Sequence, residues 1–378
     1  MKLKLITEVE DLRGKYVLVR SSLNVPLDGE KVRDDFRLKR AIPTLQYLRD
    51  QGAKVIIISH IGREVDETLK PVFNYFNKPE ILPMTWGGKI TDSAFIESKD
   101  NMKEGDIVMC ENLRQDKREE ENDENLAKLI ADFGDIYVND AFAATHREHV
   151  STYGVAKLLP AYAGITLAEE VTELTKMMNP CQPSILLLGG AKFETKMPLV
   201  EKYLELYDHI FIGGALTHDI MKARGLEVGK SLVSDVSLVD SPFLWSEKLL
   251  IPKDVVVENS TGEKITKSVD VVLPDEKIFD LGEKTISMLK PYLEEACAVL
   301  WNGPFGNYEF GYNEGTEAVA RIVADAKGVS VIGGGDTVAS VNKLNLVDKF
   351  EFVSIGGGAM LTLLEHGTTP VIELLRKK

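Results

Sequence analysis

The sequence predicts an α/β protein of two domains, each built on a parallel sheet that helices cover. Short apolar runs alternate with longer amphipathic ones from the start of the chain, which is the pattern of parallel strands and their crossover helices. The 378 residues are enough for two domains of ordinary size. Hydrophobic residues make up 44% of the chain and charged residues 28%, as in globular proteins rather than disordered ones.

The charge balance limits the kind of ligand that the chain can bind. A net charge of −14 argues against a nucleic-acid or anionic-membrane binder, since such proteins carry a basic surplus. Any anionic ligand must then be held by a local basic cluster. No apolar run approaches the roughly 18 residues of a membrane span, and acidic residues interrupt the N-terminus before any signal-peptide core. We expect no nucleic-acid partner, no membrane insertion and no export.

The cysteines indicate a compartment. Cys110, Cys181 and Cys297 are widely spaced and too few for a disulfide framework or a zinc cluster. We expect all three to be structural filler in a reducing cytosol.

In the first half, basic or imidazole side chains follow each predicted strand. The strands are predicted at 16–19, 55–58, 107–109 and 136–138, and the side chains that follow them are Arg20, His60, Arg63, Arg114, His146, Arg147 and His149. Arg37 lies where an amphipathic helix begins. Because ligands bind at the carboxyl ends of the strands in open α/β sheets, this set predicts a pocket for a small, multiply charged anion. The histidines lack the spacing of a metal site.

A helix is predicted to connect the two halves. Its apolar residues recur at spacings of four, three and four, which gives one stripe of Leu167, Val171, Leu174 and Met178. The Asn179-Pro180 pair ends the helix. We interpret the stripe as core packing.

In the second half, predicted strands end repeatedly in glycines. The segment SILLLGGAKFETK runs from a buried strand through Gly189 and Gly190 to Lys192 and Lys196, which are four residues apart on one face of a helix start. An anion is favoured there. The strand-glycine pattern recurs in the segments 210–214, 329–335 and 352–358, so the sequence predicts a phosphate cradle of nucleotide size.

Other polar groups follow these glycines. Asp336 and Thr337 place a carboxylate and a hydroxyl at a helix start, and magnesium-nucleotide chemistry uses such groups. The turn WNGPFG is followed by Glu309, which could reach a ribose. The segment GLEVGKS at 225–231 has three residues between its glycines where a Walker A loop has four, and we interpret it as an ordinary loop.

Ordered motifs along essentially the whole chain resemble the phosphoglycerate kinase family. They are VRSSLNVP, DDFRLKRAIPTL, SHIGR, ENLR, YVNDAFAATHREHVST, GGAKFETK, WNGPFGNYE, GGGDT and SIGGGAMLTLLE. The resemblance implies two Rossmann-like parallel-sheet domains that face each other across a cleft, are joined by a hinge helix and close on their ligands. The implied reaction is reversible phosphoryl transfer from 1,3-bisphosphoglycerate to ADP, which gives 3-phosphoglycerate and ATP with Mg²⁺ as cofactor.

The resemblance also implies a domain plan. Residues 1–160 would bind the triose, 161–179 would form the hinge helix, 180–363 would bind the nucleotide, and 364–378 would return to the N-terminal domain. A cytoplasmic monomer is implied, with 3-phosphoglycerate or 1,3-bisphosphoglycerate and ADP or ATP as its partners.

Site residues are carried over by motif. The catalytic set is Arg37, Lys192, Lys196, Gly334 and Gly357. The triose-binding set is Arg20, Ser22, Asn24, Arg37, His60, Arg63, Arg114 and Arg147. The nucleotide-binding set is Lys192, Lys196, Gly213, Gly214, Asn302, Pro304, Glu309, Gly333, Gly334, Gly335, Asp336 and Thr337. Asp336 is the residue linked to the metal.

Several site positions depart from the family's motifs. Ser22 and Thr195 each replace an aspartate, Ile355 a threonine, Ala143 a glycine, Glu64 a proline and Thr362 a glutamate. Three functions remain open on these grounds: a phosphoglycerate kinase with an altered rate, a kinase that forms a related acyl phosphate, and a non-catalytic nucleotide-binding paralogue.

Overall fold

The structure, a computed structural model, describes residues 1–191, 193, 196–236, 238 and 241–377. The chain divides into two compact units, which we call unit 1 (Met1–Thr172 with Thr368–Lys378) and unit 2 (Glu173–Gly367). Over the described ranges, no helix has the length and apolarity to cross a membrane.

Unit 1 contains a parallel sheet of Rossmann-like type. Its strands are β1 (Tyr16–Ser21), β2 (Leu27–Asp28), β3 (Lys31–Val32), β4 (Lys54–Ile58), β5 (Thr85–Gly88), β6 (Ile107–Cys110), β7 (Ile136–Asp140) and β8 (Ala161–Ala163). The main sheet has the order β5-β6-β4-β1-β7-β8 with every pairing parallel, while β2 and β3 form a hairpin. The inner strands are buried along nearly their whole length, as expected for a sheet covered on both faces. The strands predicted in the first half are confirmed.

Helices accompany these strands. They are α1 (Phe36–Asp50), α2 (Lys70–Phe76), α3 (Ser93–Asp100), α4 (Glu124–Ala131), α5 (Val155–Leu158) and α6 (Ile165–Lys176). The boundary between the units falls within α6. The predicted stripe is buried at Leu167, Val171 and Leu174, but Met177 rather than Met178 is its last buried member, because α6 ends at Lys176 and the chain turns there.

Unit 2 contains a second parallel sheet and a smaller antiparallel one. Its strands are β9 (Ser184–Leu188), β10 (His209–Ile212), β11 (Leu249–Leu250), β12 (Asp254–Glu258), β13 (Lys264–Ser268), β14 (Lys277–Leu281), β15 (Ala298–Asn302), β16 (Val329–Gly333) and β17 (Phe352–Val353). The parallel sheet has the order β11-β10-β9-β15-β16-β17, and the antiparallel sheet the order β13-β12-β14. The glycine-terminated strands are confirmed, whereas the antiparallel sheet was not predicted.

The helices of this half follow the same alternation. They are α7 (Met197–Tyr203), α8 (Leu216–Ala223), α9 (Glu283–Glu295), α10 (Glu314–Asp325), α11 (Gly335–Lys343) and α12 (Gly357–His366), and α13 (Pro370–Leu375) follows in the C-terminal segment that belongs to unit 1. Thr369 caps α13, since its side chain accepts from the backbone N–H of Ile372. The segment 225–231 is a loop, as predicted.

One cysteine prediction is wrong. Cys181 and Cys297 form a disulfide, with Cα atoms 5.6 Å apart across a sequence separation of 116 residues. They precede β9 and β15, which are neighbours in the sheet with Ala298 opposite Ser184. The pairing of the two strands brings the thiols together, and sequence spacing gives no sign of this. Cys110 is free and buried, as expected of structural filler.

Candidate active site

Basic and imidazole side chains gather at the carboxyl edge of the unit 1 sheet. Arg20 lies near the end of β1, while His60 follows β4, Arg114 follows β6 and Arg147 follows β7. The chain extends the sheet from β1 first to β4 on one side and later to β7 on the other. Open α/β sheets bind their ligands at such a reversal of strand order.

Burial and neighbouring positive charges lower the pKa of two members of this cluster, Arg147 and His149. Burial lowers the pKa of Arg147, the charges of Arg114 and Arg63 lower it further, and Glu120 opposes them. Burial also lowers the pKa of His149 to about 4, with Arg147 and Arg114 again contributing. Like charges held close together in partly buried positions are costly until an anion joins them. The cluster is therefore prepared for an anionic ligand.

The individual arginines differ in exposure. Arg114 is about nine-tenths buried, donates to the carbonyl oxygen of Gly62 and lies with its Nε 3.0 Å from Glu120 Oε1. Arg147 is exposed, and its Nε donates to His146 Nε2 at 3.2 Å. Arg63 is exposed as well, and Glu67 Oε2 accepts from its backbone N–H. The exposed side chains of Arg147 and Arg63 can reach a ligand, while Arg114 is held against the loop that contains Gly62.

Asn24 and Arg37 form a second part of this edge. Asn24 Oδ1 accepts from the backbone N–H of Gly62 at 3.0 Å, which ties the loop after β1 to the loop after β4. Arg37, in the first turn of α1, donates from Nη1 to the carbonyl oxygen of Asn24 at 2.5 Å. Burial lowers the pKa of Arg37, and Asp34 and Glu170 oppose this effect. A half-buried guanidinium is thus held in place beside the loops.

Two further predicted residues are buried. Arg20 is 1% exposed and Ser22 is 7% exposed. Ser22 follows β1 directly, so it lies on the same edge as the cations although its side chain carries no charge.

In unit 2, a glycine cradle surrounds Lys196. The lysine is 8% exposed and its Nζ donates to the carbonyl oxygen of Gly189. A Cβ added at Gly303 would lie 2.8 Å from this Nζ, and one added at Gly190 would lie 3.1 Å from it. Gly189 and Gly303 follow β9 and β15, the strands from which this sheet extends in opposite directions. The lysine therefore lies at the switch point of the second sheet.

Further glycine turns complete this edge. A Cβ at Gly214 would lie 2.8 Å from the backbone nitrogen of Gly190, and one at Gly357 would lie 2.8 Å from Gly334 Cα. Both pairs of loops approach too closely for side chains. Gly213 packs against Phe305, and the remaining predicted glycines are Gly333 at the end of β16 and Gly335 at the start of α11.

Asp336 and Thr337 begin α11 but face different surroundings. Asp336 is exposed in the first turn, and it lines the cavity described below. Thr337 is fully buried, and its Oγ1 accepts from the backbone N–H of Gly303 at 3.0 Å, which ties the loop after β15 to α11. Asn302 is buried beside them, and its carbonyl oxygen accepts from the backbone N–H of Gly189 at 2.9 Å. Of these predicted residues, Asp336 can face a ligand, whereas Thr337 and Asn302 hold neighbouring loops together by hydrogen bonds.

A cavity of about 430 Å³ opens beside these turns. Its lining includes Gly190, Gly214, Pro304, Glu309 and Asp336 from the predicted nucleotide set. Its volume is within the range of small-ligand sites.

Several residues that line this cavity were not predicted. They come from α8 and β14: Thr217, His218, Lys277, Phe279 and Asp280. His218 Nδ1 lies 2.8 Å from the carbonyl oxygen of Leu232, and burial lowers the pKa of this histidine, so the ring is neutral with its proton on Nδ1. The neighbouring residues Ile278 and Phe279, both of which favour strands, could have indicated β14.

The side of the cavity that β14 forms carries an aromatic and an acidic side chain, Phe279 and Asp280. Phe279 stacks on Tyr312 with ring centroids 4.4 Å apart. Burial raises the pKa of Asp280 to about 6, although the backbone N–H groups of Gly315 and Leu281 donate to its carboxylate. This wall offers an aromatic surface to a flat ligand group.

Two residues of the predicted site, Lys192 and Thr195, lie outside the described residues. Over the described ranges, no group of three or more His, Cys, Asp or Glu side chains is arranged to hold a metal ion. Asp336 presents its carboxylate at the start of α11 beside the glycine turns, while the other acidic residues that line the cavity, Asp280 and Glu309, come from β14 and the loop after β15. A single carboxylate fits Mg²⁺ that arrives with a nucleotide, because this ion is commonly held by one or two carboxylates together with substrate phosphates.

Comparisons with known proteins agree with one another. Residues 6–367 match the family model described as phosphoglycerate kinase. The phosphoglycerate kinase of Borrelia garinii subsp. bavariensis is 37% identical over 401 residues, with 100% of both chains covered. That of Borrelia hermsii is 39% identical over 398 residues, again with 100% of both covered.

Solved structures give the same result. The phosphoglycerate kinase of Coxiella burnetii superposes with a TM-score of 0.84 at 34% identity, covering 99% of this chain and 98% of that one. The enzyme of Pyrococcus horikoshii superposes with a TM-score of 0.87 at 27% identity over the same shares.

Proposed function

The chain belongs to the phosphoglycerate kinase family, and from that premise we propose how its own residues carry out the reaction. The enzyme is a phosphotransferase with a carboxyl group as acceptor: it moves a phosphoryl group reversibly between 1,3-bisphosphoglycerate and ADP, giving 3-phosphoglycerate and ATP.

The observation that carries the site assignment is the cation cluster of unit 1. A chain with a net charge of −14 places Arg114, Arg147, Arg63 and His60 at one sheet edge. Burial lowers the pKa of Arg147 and of His60, and neighbouring positive charges lower both further, so this edge carries positive charge without full compensation. 3-Phosphoglycerate carries a carboxylate and a phosphate, so it can compensate several of these charges at once. We assign the triose to this edge, with Asn24 and Ser22 beside it.

The glycine cradle of unit 2 is assigned to the nucleotide. Backbone N–H groups at the starts of α11 and α12 favour phosphate oxygens, and Lys196 adds a buried charge. Glu309 and the Phe279 wall line the cavity where the nucleoside would lie. Lys192, Gly213, Asn302 and Pro304 belong to this assignment by motif. Mg²⁺, held by Asp336 and the nucleotide phosphates, would supply neutralisation of phosphate charge.

Arg37 is assigned to the transferring phosphoryl group. Charge builds up on the equatorial oxygens of that group during transfer, and fixed cations in a partly desolvated position stabilise it more strongly than water does. Arg37 is half-buried and held by Asn24, so little reorganisation is needed when the charge develops. Gly334 and Gly357 of unit 2 belong to the catalytic set by motif, and a Cβ at Gly357 would lie 2.8 Å from Gly334 Cα, so a side chain is not accommodated there.

We also propose a monomer, and we propose a cytoplasmic location on the ground of the family alone, since the Cys181–Cys297 disulfide does not indicate a reducing compartment. Each of the two sites is built from residues of a single unit of one chain, so no second copy is needed to complete either. Light scattering after size-exclusion chromatography would test this, and a dimer mass would contradict it.

A coupled assay with 3-phosphoglycerate and magnesium-ATP tests the function. Turnover that is lost on omission of either substrate supports it. Turnover on another small carboxylic acid but not on 3-phosphoglycerate would select the related acyl-phosphate kinase. Nucleotide binding without turnover on any acid would select the non-catalytic paralogue.

A further inference from the structure

Arg20 differs from the other arginines of the cluster because four of its five N–H donors are already used within the protein. The side chain is 1% exposed. Its Nε donates to Ser151 Oγ at 2.8 Å, and its Nη1 donates to the carbonyl oxygen of Ser21 at 2.6 Å and to Ser59 Oγ at 3.3 Å. Its Nη2 contacts His60 Nδ1. Little donor capacity remains for a substrate.

A buried carboxylate, that of Glu119, is linked to Arg20 through the Ser151 hydroxyl. Glu119 is 1% exposed, and its two oxygens accept from the Ser151 hydroxyl at 2.5 Å and from the Ser151 backbone N–H at 3.0 Å. The Ser151 hydroxyl thus donates to Glu119 while it accepts from Arg20. Burial raises the pKa of Glu119, while the Arg20 charge and the Ser151 donors oppose this. The chain of contacts runs from Glu119 through Ser151 and Arg20 to His60.

The contact with Arg20 decides which nitrogen of His60 carries a proton. A guanidinium has only N–H donors and no acceptor. His60 Nδ1 must therefore accept, and in the neutral ring the proton lies on Nε2. The other ring nitrogen, Nε2, is then a hydrogen-bond donor.

We propose that Arg20 is a positioning residue rather than a triose ligand: held by Ser151 and Glu119, it keeps His60 neutral with its proton on Nε2, aimed at an oxygen of the triose. This inference rests on the proposed function for the identity of the triose. It adds Glu119 and Ser151 to the residues on which triose binding depends, although neither touches the ligand.

The surroundings of His60 act in the same direction. Burial lowers the pKa of His60 most strongly, and the positive charges of Arg20, Arg114, Arg147 and His149 lower it further. These groups come from β1 and from the segments after β6 and β7. No carboxylate among the described residues opposes them as a cause of the His60 shift. His60 therefore stays neutral across the pH range in which the enzyme would work.

Nitrogen-15 NMR of the full-length protein tests the tautomer directly. The chain has six histidines, so the His60 ring is assigned by comparison with His60→Gln. We expect long-range nitrogen–proton correlations of the Nε2–H tautomer, with no titration between about pH 5.5 and pH 8. The Nδ1–H tautomer, or a ring that gains a proton within that range, would overturn the proposal.

A double variant, Arg20→Met with Glu119→Gln, tests the positioning role. It removes both buried charges together, so neither is left unpaired. The KM for 3-phosphoglycerate should rise about tenfold at pH 8, and kcat should change less. The pKa of His60 should rise towards its ordinary value, so the ratio of variant to wild-type KM should fall as pH drops below that value. Taking the ratio cancels the ionisation of the substrate phosphate.

The controls separate this role from general damage. Arg118→Met removes an arginine next to Glu119 that pairs with Asp116 at the surface, and it should leave the KM ratio near one at every pH. Ser151→Ala removes a single hydroxyl and serves if the double variant does not fold; it should raise KM because Arg20 loses one of its partners, but the Arg20 charge remains, so the KM ratio should not depend on pH. A pH-independent ratio in the double variant, or an unchanged KM in Ser151→Ala, would overturn the proposal.

The positioning role of Arg20 can be tested even if the proposed function is wrong. The NMR measurement needs no turnover. An Nε2–H tautomer in a protein that is inactive on 3-phosphoglycerate would support the positioning of His60 and contradict the assigned substrate.

Discussion

At the scale of single residues, Arg37 is the cation whose loss should affect chemistry most. We expect Arg37→Ala to lower kcat by roughly two to four orders of magnitude, about 3 to 5 kcal/mol of transition-state stabilisation, with a smaller change in KM. The reason is that Arg37 meets charge that grows during transfer, whereas ground-state binding is shared among many groups. Steady-state kinetics with 3-phosphoglycerate and magnesium-ATP would measure both parameters.

A nearby lysine provides the matched control. Lys39 is an exposed cation on the same helix, paired with Asp35 at 2.9 Å. Lys39→Ala should leave kcat within about twofold, because exposed ion pairs contribute little. An Arg37→Ala effect confined to KM would rule out the assigned role.

Ser22 is the departure that should weaken triose binding. A serine at this buried position offers a neutral hydroxyl rather than a carboxylate. We expect Ser22→Asp to lower the KM for 3-phosphoglycerate by about threefold to thirtyfold, since a hydrogen bond to a charged group is stronger than a neutral one. Ser22→Ala should raise KM slightly. If Ser22→Asp raises KM while the protein remains folded, the serine is already adapted to its surroundings.

At the scale of elements, the loop after β15 depends on Gly303. This glycine has φ of +95°, and a Cβ there would overlap the backbone carbonyl of Gly189 and lie 2.8 Å from Lys196 Nζ, which donates to that carbonyl oxygen. Gly303→Ala should displace the lysine and weaken ADP binding by tenfold or more, in addition to a stability cost of about 1 to 3 kcal/mol from the backbone strain. Calorimetric titration with ADP and thermal unfolding would measure the two effects.

Gly225 provides a control that distinguishes backbone strain from steric conflict with Lys196. It has φ of +82° but open space where a Cβ would lie. Gly225→Ala should therefore cost stability without changing ADP affinity. Equal losses of ADP affinity in the two variants would contradict the steric argument.

Asp140 links β7 to the start of α6 and should make stability depend on pH. Its Oδ1 accepts from the backbone N–H of Leu167 at 3.0 Å, and burial raises the pKa of Asp140 to about 6. The folded state therefore holds a proton that the unfolded state releases at lower pH. The stability from this group is complete below about pH 4 and is lost as pH rises through 6, a change on the order of 2 to 3 kcal/mol.

Asp140→Asn should remove this dependence. Between pH 4 and pH 7, the wild type should lose about 2 to 3 kcal/mol of unfolding free energy relative to the variant. Urea denaturation of both proteins at each pH would measure this difference. Asp132→Asn changes an exposed carboxylate and should show a flat difference. A flat difference for Asp140→Asn would mean that the carboxyl is ionised across the range.

At the scale of the whole molecule, the disulfide should contribute to the stability of unit 2. It joins residues separated by 116 positions, so it restricts a long loop in the unfolded chain. In the chain-entropy model, such a loop corresponds to roughly 4 to 5 kcal/mol. Reduction, or the double change Cys181→Ser with Cys297→Ser, should lower the urea midpoint by a corresponding amount.

Thiol counting gives an independent check. Protein purified without reductant and then unfolded should react at one thiol, that of Cys110, and at three after reduction. Cys110→Ser should remove the single reactive thiol. Three reactive thiols before reduction would contradict the disulfide.

The sequence alone determined the features that depend on local pattern. Apolar runs predicted the parallel strands, because a buried strand needs little more than its own residues to be recognised. Glycine pairs after those strands predicted turns without side chains, and the spacing of basic residues predicted which sheet edge an anion would meet. Motif order predicted the family. Each of these signals is contained within a few neighbouring residues.

The tertiary structure decided the features that depend on which distant residues meet. The Cys181–Cys297 pairing follows from β9 and β15 being neighbours, and the burial of Arg20 follows from Glu119 and Ser151, which lie about a hundred residues away or more. Phe279 and Lys277, which line the cavity, belong to the antiparallel sheet. That sheet was not predicted, because its edge strand β13 is largely polar and does not read as a buried strand. Pairing between distant segments is set by the free energy of the whole fold, so no local pattern records it.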